Sequence, residues 1–276
     1  MKRLLLFLFL VLSTSTFAQK DTLNVTIDFP KITRSLSGSP NEINVGIGQS
    51  LKSGQIINLP YKNGEVKSFK LIEYNILPVA LRKEIKTYYG KMVDDPSVDC
   101  RLTLANGEIS VSFVSTSETI AIEKNSRSVN SDAYWVYKVD LTLPECEVQQ
   151  QVKEQIDSPQ AGNTILFNSH GTQLRTYRLA LIVTSSLYTA GGGNDAAVNA
   201  YIASIVNNIN GIYEKEIAVR FTLVSPNNPA SANVFYNYGN GSTSLGSIIT
   251  ENNTRFGNAN FDVGHCIRSS GGGVAY

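Results

Sequence analysis

Residues 177–184 read YRLALIVT and residues 218–224 read AVRFTLV, two apolar runs typical of β-strands. Between them, a glycine-rich break at residues 191–193 precedes a segment whose apolar residues recur every three or four positions: Ala197, Val198, Tyr201, Ile202, Ile205, Val206, Ile209 and Ile212. This spacing predicts an amphipathic helix that Asn194 or Asp195 can cap. Strand, helix and strand within about 50 residues predict a crossover unit, whose sheet the helix covers.

Several segments of this region resemble bacterial reprolysin-like (adamalysin-like) zinc metallopeptidases of the metzincin group. Residues 175–184 resemble the opening strand, and residues 206–221 resemble the following helix end and strand. Residues 260–265 and 271–276 resemble the next strand and its glycine-rich turn. The resemblance implies an α+β protein, in which a β-rich N-terminal pro-domain precedes the first part of an α/β catalytic domain with a mixed sheet. It also implies a secreted endopeptidase zymogen that attacks peptide or protein substrates with zinc-activated water.

The first 18 residues are typical of a secretory signal peptide. Lys2 and Arg3 form a basic start, residues 4–12 an apolar core, and residues 16–18 a small-residue cleavage site before Gln19. The apolar run is shorter than the ~20 residues that a membrane span needs. We therefore expect an exported, extracellular protein that has no membrane segment once the signal is removed.

Composition describes an ordinary globular protein. Hydrophobic residues make up 42% and charged residues 17% of the chain, which argues against disorder. The net charge of +1 provides no electrostatic basis for binding nucleic acid or an anionic membrane. The cysteines are three, at positions 100, 146 and 266, and neither their number nor their spacing indicates a dense disulfide framework.

Residues 19–148 are predicted to form a β-rich, propeptide-like domain. Asn106-Gly107 lies between two alternating runs and predicts a hairpin with a type I′ turn, and Asn63-Gly64 predicts a second hairpin. Residues 134–139 predict a strand that buries Trp135 and Val139 or their neighbours. Residues 81–89 fit either a short helix or a strand, and their periodicity does not decide between the two.

The pattern of apolar residues breaks down over residues 149–173, which predicts an exposed linker and a possible activation region. Residues 174–276 are then predicted to be the N-terminal part of the catalytic domain. Within it, Leu245, Ile248 and Ile249 suggest a short helix near Ser242 or Thr243, and residues 261–267 a strand. Because the sequence stops as another apolar run begins at Val274, we expect a truncated domain.

The metal-binding motif of such peptidases is His-Glu-x-x-His-x-x-Gly-x-x-His, which supplies three zinc ligands and a general base. This sequence contains two histidines, His170 and His265, and neither has a histidine four residues further on. A three-histidine zinc site cannot be built from them. We therefore expect the ligands beyond residue 276 and an inactive fragment. His265 and Cys266 are adjacent on a predicted strand and would face opposite sides, so a buried, hydrogen-bonded His265 is expected.

Two further site predictions concern substrate and latency. By resemblance, Gly272, Gly273, Val274, Ala275 and Tyr276 would form an edge strand to which a peptide adds by main-chain hydrogen bonds; an ordinary glycine-rich loop entering a core strand is the alternative. Cys146 lies just before the linker, where its thiolate could occupy a catalytic zinc and hold the enzyme latent. A free thiol, or a disulfide with Cys100 or an absent cysteine, is the alternative. A calcium site is plausible, although no ligand loop is readable.

Other catalytic signatures fail. The Gly191–Gly193 break lacks the spacing of a phosphate-binding loop, and no Gly-x-Ser-x-Gly element is present. Two non-catalytic alternatives stay open: a secreted β-rich binding or adhesion module, and a pro-domain that restrains a peptidase in trans.

The coding sequence after Tyr276 tests this interpretation. We predict the motif His-Glu-x-x-His-x-x-Gly-x-x-His within about 100 residues, a typical domain length. A stop codon directly after Tyr276 would contradict the peptidase assignment for this product and favour a binding protein.

Overall fold

The computed structural model describes residues 22–44, 53–139, 173–227, 233–239 and 244–269, and the fold is α+β as predicted. Eight strands of the N-terminal part form one antiparallel sheet. They are β1 (Thr22–Thr26), β2 (Gln55–Pro60), β3 (Val66–Glu73), β4 (Lys86–Met92), β5 (Asp99–Ala105), β6 (Glu108–Val114), β7 (Thr119–Lys124) and β8 (Ala133–Lys138).

This sheet is a meander from β2 to β8, and β1 adds to the far side of β8. Both predicted hairpins are present, β2–β3 and β5–β6. At each turn, an asparagine and a glycine take positive φ: 59° and 79° at Asn63-Gly64, and 52° and 78° at Asn106-Gly107. Two successive positive φ angles are what a type I′ turn requires, which is why these dipeptides were readable from sequence.

One face of this sheet packs against an apolar core. Phe69 and Phe113 stack at its centre with ring centroids 4.5 Å apart, and β8 contributes Tyr134 and Val136, the neighbours of Trp135. Helix α1 (Phe29–Leu36) covers this face with Ile32 and Leu36. Its start is fixed by Asp28, whose carboxylate accepts the Lys31 backbone N–H at 2.9 Å. The sequence analysis did not predict this helix. Residues 81–89, left open there, contain the end of a 3-10 turn (Val79–Leu81) and the start of β4.

The C-terminal part forms a second sheet of four strands: β9 (Arg175–Val183), β10 (Val219–Leu223), β11 (Tyr236–Asn237) and β12 (Val263–Ile267). All the described pairings run parallel to β9, whereas a mixed sheet was predicted. Leu179 pairs with both Leu223 and Val263, so β10 and β12 lie on opposite edges of β9. Because β10 runs parallel to β9 and a helix connects the two, the predicted crossover unit is confirmed.

Three helices accompany this sheet: α2 (Ser185–Ala190), α3 (Asp195–Ile217) and α4 (Leu245–Phe256). Helix α3 is the predicted amphipathic helix, and the Asn194 side chain caps it by accepting the Ala197 N–H at 2.9 Å. Helix α4 is capped by Ser244, one residue after the predicted positions. Within the described ranges, no helix is both long and apolar enough to span a bilayer.

Helix α3 buries two faces, where the sequence predicted one. Its apolar stripe of Val198, Ile202 and Val206 contributes to the core beneath β9. A second, polar stripe that contains Asn207 and Gly211 is also buried, because α3 packs against β5 of the first sheet as well. Two members of the predicted apolar face, Tyr201 and Ile212, are exposed instead. The reason is that the helix lies between two sheets.

Gly90 provides a stability test of the first sheet. A Cβ atom at this position would lie 1.9 Å from the Lys70 carbonyl oxygen, so an alanine must push β3 and β4 apart. We expect Gly90→Ala to lower the free energy of unfolding by about 1–3 kcal/mol or more in urea denaturation. Gly38→Ala is the matched control, because nothing lies within 4 Å of its added Cβ. Equal effects of the two substitutions would contradict this packing.

Candidate functional site

In chain order, β12 is the last described strand before the predicted substrate-binding residues. Among the described strands, β12 is the outermost on its side of β9. Its start is held by Asp262, whose carboxylate accepts from the Arg178 guanidinium at 2.8 Å and from the Arg178 backbone N–H at 2.7 Å. The hydrogen bonds from Arg178 lower the pKa of Asp262 to about 2, so the carboxylate stays ionised. This pair fixes where the edge strand begins.

Close packing behind β12 holds the strand against α4. A Cβ atom at Gly264 would lie 2.9 Å from the Asn252 side-chain nitrogen, so only glycine allows the helix this near. Asn252 is buried, and its Nδ2 donates to the Ile248 carbonyl at 3.0 Å. The backbone of β12 is therefore set by contacts on one face and by β9 along one edge.

His265 and Cys266 lie on opposite faces of β12, as the strand geometry predicted. His265 is in register with Leu181, whose side chain belongs to the core beneath α3. Cys266 is in register with Ile182 and packs in the cluster of Phe256 on the α4 side. The two residues cannot chelate one ion together.

The prediction of a buried His265 was wrong. His265 is exposed, and β12 is the outermost described strand on its side of β9. Partial burial of the ring nevertheless lowers the imidazole pKa below its ordinary value of 6.5. Burial likewise raises the pKa of the Cys266 thiol. At neutral pH both side chains are therefore uncharged.

The residues present do not fit a zinc ion. In the portions of the chain that the structure describes, no three histidine, cysteine, aspartate or glutamate side chains are placed to hold a metal. The whole sequence supplies two histidines, one fewer than a three-histidine site needs. Zinc chemistry cannot be derived from this set of side chains.

The largest cluster of perturbed titratable groups lies instead between the two sheets. Arg101 of β5 donates to Glu214 of α3 at 2.9 Å, and Arg220 of β10 donates to Glu214 at 2.6 Å and to Glu42 at 2.8 Å. The Tyr74 hydroxyl also donates to Glu214. The Arg101 side chain is 2% exposed and that of Glu214 13% exposed. Hence these ion pairs are largely removed from water.

The charges of this cluster neutralise one another. Burial alone would raise the pKa of Glu214, but the attraction of Arg101 and Arg220 outweighs it and holds the pKa below the ordinary value. Burial raises the pKa of Tyr74 far above that of a free tyrosine, so its hydroxyl remains a donor. Because every carboxylate here is paired, the perturbed pKa values indicate a structural ion-pair network rather than an acid or base available to a substrate.

Sequence reasoning missed this cluster. Arg101 and Thr103 alternate with buried Cys100 and Leu102 along β5, a pattern that normally marks a solvated face. Both are instead buried beneath α3. No local signal distinguishes a polar face covered by a second domain from one in contact with water.

The predicted substrate and latency residues, Gly272–Tyr276 and Cys146, lie outside the described residues, as does nearly all of the linker 149–173. Cys100 is a buried free thiol on β5. The Gly191–Gly193 segment is a connecting loop, since the adjoining helix start is already capped by Asn194.

Comparison with known proteins identifies one related family. Residues 199–276 match the model of the metallopeptidase family M12B, reprolysin-like. The matched segment begins within α3 and includes β10, α4 and β12. The chain matches none of the curated proteins with which it was compared. The family match supports a reprolysin-like metallopeptidase for the C-terminal part, and an α+β fold is compatible with it.

The environment of His265 can be tested by pH titration. We expect its imidazole pKa, measured by NMR, to lie below 6.5; a His170→Gln variant leaves His265 as the one remaining histidine for assignment. The unfolded chain then binds more protons just below pH 6.5. The stabilisation from His265 is therefore present above that pH and is lost as pH falls, with a slope of at most about 1.4 kcal/mol per pH unit. His265→Gln should remove this part of the pH dependence, and a pKa above 6.5 would contradict the partial burial of the ring.

Proposed function

We propose that this chain is the leading part of a secreted zinc metalloendopeptidase precursor of the reprolysin type. In this proposal residues 1–18 are the signal peptide, residues 19–148 a propeptide-like domain, residues 149–173 a linker with the activation site, and residues 174–276 the first part of the catalytic domain. The observation that carries it is the family match over residues 199–276. The parallel β9–α3–β10 unit is consistent with such a domain.

The proposal assigns zinc and its ligands to residues outside this sequence. His170 and His265 are too few for a three-histidine site, and the described acidic side chains of the ion-pair network already bind arginines. We therefore give no metal role to any described residue. Peptides or proteins are the proposed substrates, as the family's name implies.

Residues Gly272, Gly273, Val274, Ala275 and Tyr276 remain the proposed substrate-binding rim. The position of β12 supports this, because no described strand covers its outer edge. A strand added there by the residues that follow would itself present unpaired backbone groups at the rim of the sheet. Such an edge accepts an extended peptide as a further strand.

Peptide hydrolysis by the complete open reading frame tests the proposed function. We expect the activated product to hydrolyse a denatured protein substrate, to lose this activity after zinc removal by 1,10-phenanthroline, and to regain it with added Zn²⁺. A product ending at Tyr276 is the control and should be inactive. Hydrolysis that survives complete zinc removal, or a zinc-loaded parent with no hydrolysis after cleavage, would contradict the proposal and favour a binding module.

Latency through Cys146 is tested in the same parent protein. We expect Cys146→Ala to give hydrolysis before any cleavage of the chain, because the blocking thiolate is gone. Cys266→Ser is the matched control, since Cys266 packs beside Phe256 in the second sheet and should leave latency intact. A fully latent Cys146→Ala precursor would exclude the thiol mechanism.

A further inference from the structure

The two parts of the chain share one apolar core. A cluster beneath α3 contains buried residues from both sides of the linker. The N-terminal part contributes Tyr74, Ile76, Leu77, Leu81, Ile85 and Ala105, and the C-terminal part contributes residues of β9, α2, α3 and β10 together with Val234 and Phe235. Separating the parts would expose this apolar surface to water, which is unfavourable in proportion to its area.

Buried polar groups pair across the same boundary. Asn207 of α3 is fully buried, and its Nδ2 lies 3.1 Å from the Leu102 carbonyl and 3.2 Å from the Thr103 hydroxyl of β5. About one turn earlier in the helix, the Ser204 and Ser110 hydroxyls are 2.7 Å apart. Near its start, the Asn106 side chain donates to the Ala196 carbonyl at 3.3 Å. Such pairing makes separation costly, because each buried group would lose its partner.

The N-terminal part also closes an edge of the second sheet. β10 bonds to β9 along one side, and its other side is an outer edge. There the Leu223 N–H donates to the Ile76 carbonyl at 2.8 Å, while the Phe221 N–H and carbonyl bond the Asn210 side chain of α3 at 2.8 and 2.9 Å. An edge strand left open is a site for aggregation, so Ile76 protects β10.

The buried charges complete the match between the parts. The N-terminal part supplies Arg101 and Glu42, and the C-terminal part supplies Glu214 and Arg220. The Arg101 guanidinium also lies 5.0 and 4.6 Å from the ring centres of Tyr74 and Tyr89. Each part contributes one cation and one anion to the network. Separation would leave Arg101 and Glu42 without their partners, whereas Glu214 and Arg220 would keep each other.

We infer that the described N-terminal residues, 22–44 and 53–139, form a docking partner that stays bound to α3 and β10 after the chain is cut between residues 149 and 173. The shared core, the cross-boundary hydrogen bonds and the paired charges are those of a stable protein–protein interface, which carries about ten hydrogen bonds. Cleavage of the linker alone then yields a non-covalent complex. This inference goes beyond the proposed function and does not depend on it, because it concerns the interface whatever the chain catalyses.

The docked domain closes one edge of the second sheet, and β12 lies at the opposite edge. Docking closes the β10 edge, whereas β12, which precedes the rim, lies on the other side of β9. Release of the domain, if it occurs, is a step separate from linker cleavage.

Cutting the intact chain at an inserted site tests the inference. A recognition sequence for a specific protease is placed within residues 149–173, the folded protein is cut to completion, and the product is passed over a gel-filtration column at about 1 µM, a concentration at which a stable interface stays assembled. We expect both halves to co-elute at the volume of the uncut protein. Separate elution, or precipitation of one half as the other elutes alone, would overturn the inference.

Two pairs of variants, each an interface substitution with its control, test which residues hold the cut complex together. Glu214→Gln leaves Arg101 buried without its anion, and we expect the dissociation constant of the cut complex to rise about 100-fold or more. Asp262→Asn breaks an exposed ion pair of the same unit and should change this constant less than about 3-fold.

If Glu214→Gln does not fold, Gly211→Ala and its control Gly246→Ala test the interface instead. A Cβ at Gly211 would lie 3.1 Å from the Arg101 side chain, whereas Gly246 has open space. We expect Gly211→Ala to weaken the complex about 10-fold. If the complexes of Gly211→Ala and Gly246→Ala had equal affinities, the inference that this face of α3 binds the N-terminal part would be overturned.

Discussion

The structure depends on one helix that must satisfy two sheets at once. Helix α3 packs its apolar stripe beneath β9 and its polar stripe against β5, and the buried pair of Glu214 and Arg101 joins the two sides. A buried carboxylate is tolerated only where cations and hydrogen bonds compensate for lost water. Glu214 meets this condition by accepting from Arg101 of β5, Arg220 of β10 and Tyr74, which directly follows β3.

The helix that joins the two sheets also lies largely within the family match. The family match begins within α3 and extends through β12, so the helix that binds the N-terminal sheet also belongs to the metallopeptidase-like segment. The proposed pro-domain is therefore in contact with the matched segment itself, through side chains such as Asn207 and Glu214. In the proposed precursor, folding of the catalytic part and its restraint by the N-terminal part are linked through this one helix.

Features that depend mainly on residues close in sequence were predicted correctly. The Asn-Gly hairpins were readable because these dipeptides favour positive φ, and the β9–α3–β10 unit because its periodicities are strong. Features that depend on contacts between distant parts of the chain were not predicted from the sequence. The second buried face of α3 and the burial of Arg101 follow from which surfaces the other part of the chain covers. The exposure of His265 goes with its place on an outer strand of the second sheet. The predicted substrate and latency residues lie where the structure describes nothing, so those remain proposals resting on resemblance.

Native-state hydrogen exchange tests most directly whether α3 joins the two sheets into one cooperative unit. If it does, the slowest amides of β5, α3 and β9 exchange with the same free energy of opening, and denaturant lowers all three together. The account predicts this common value. It would be contradicted if the amides of α3 and β9 opened together at a clearly lower free energy while those of β5 stayed protected, because the C-terminal unit would then unfold independently of the sheet against which it packs.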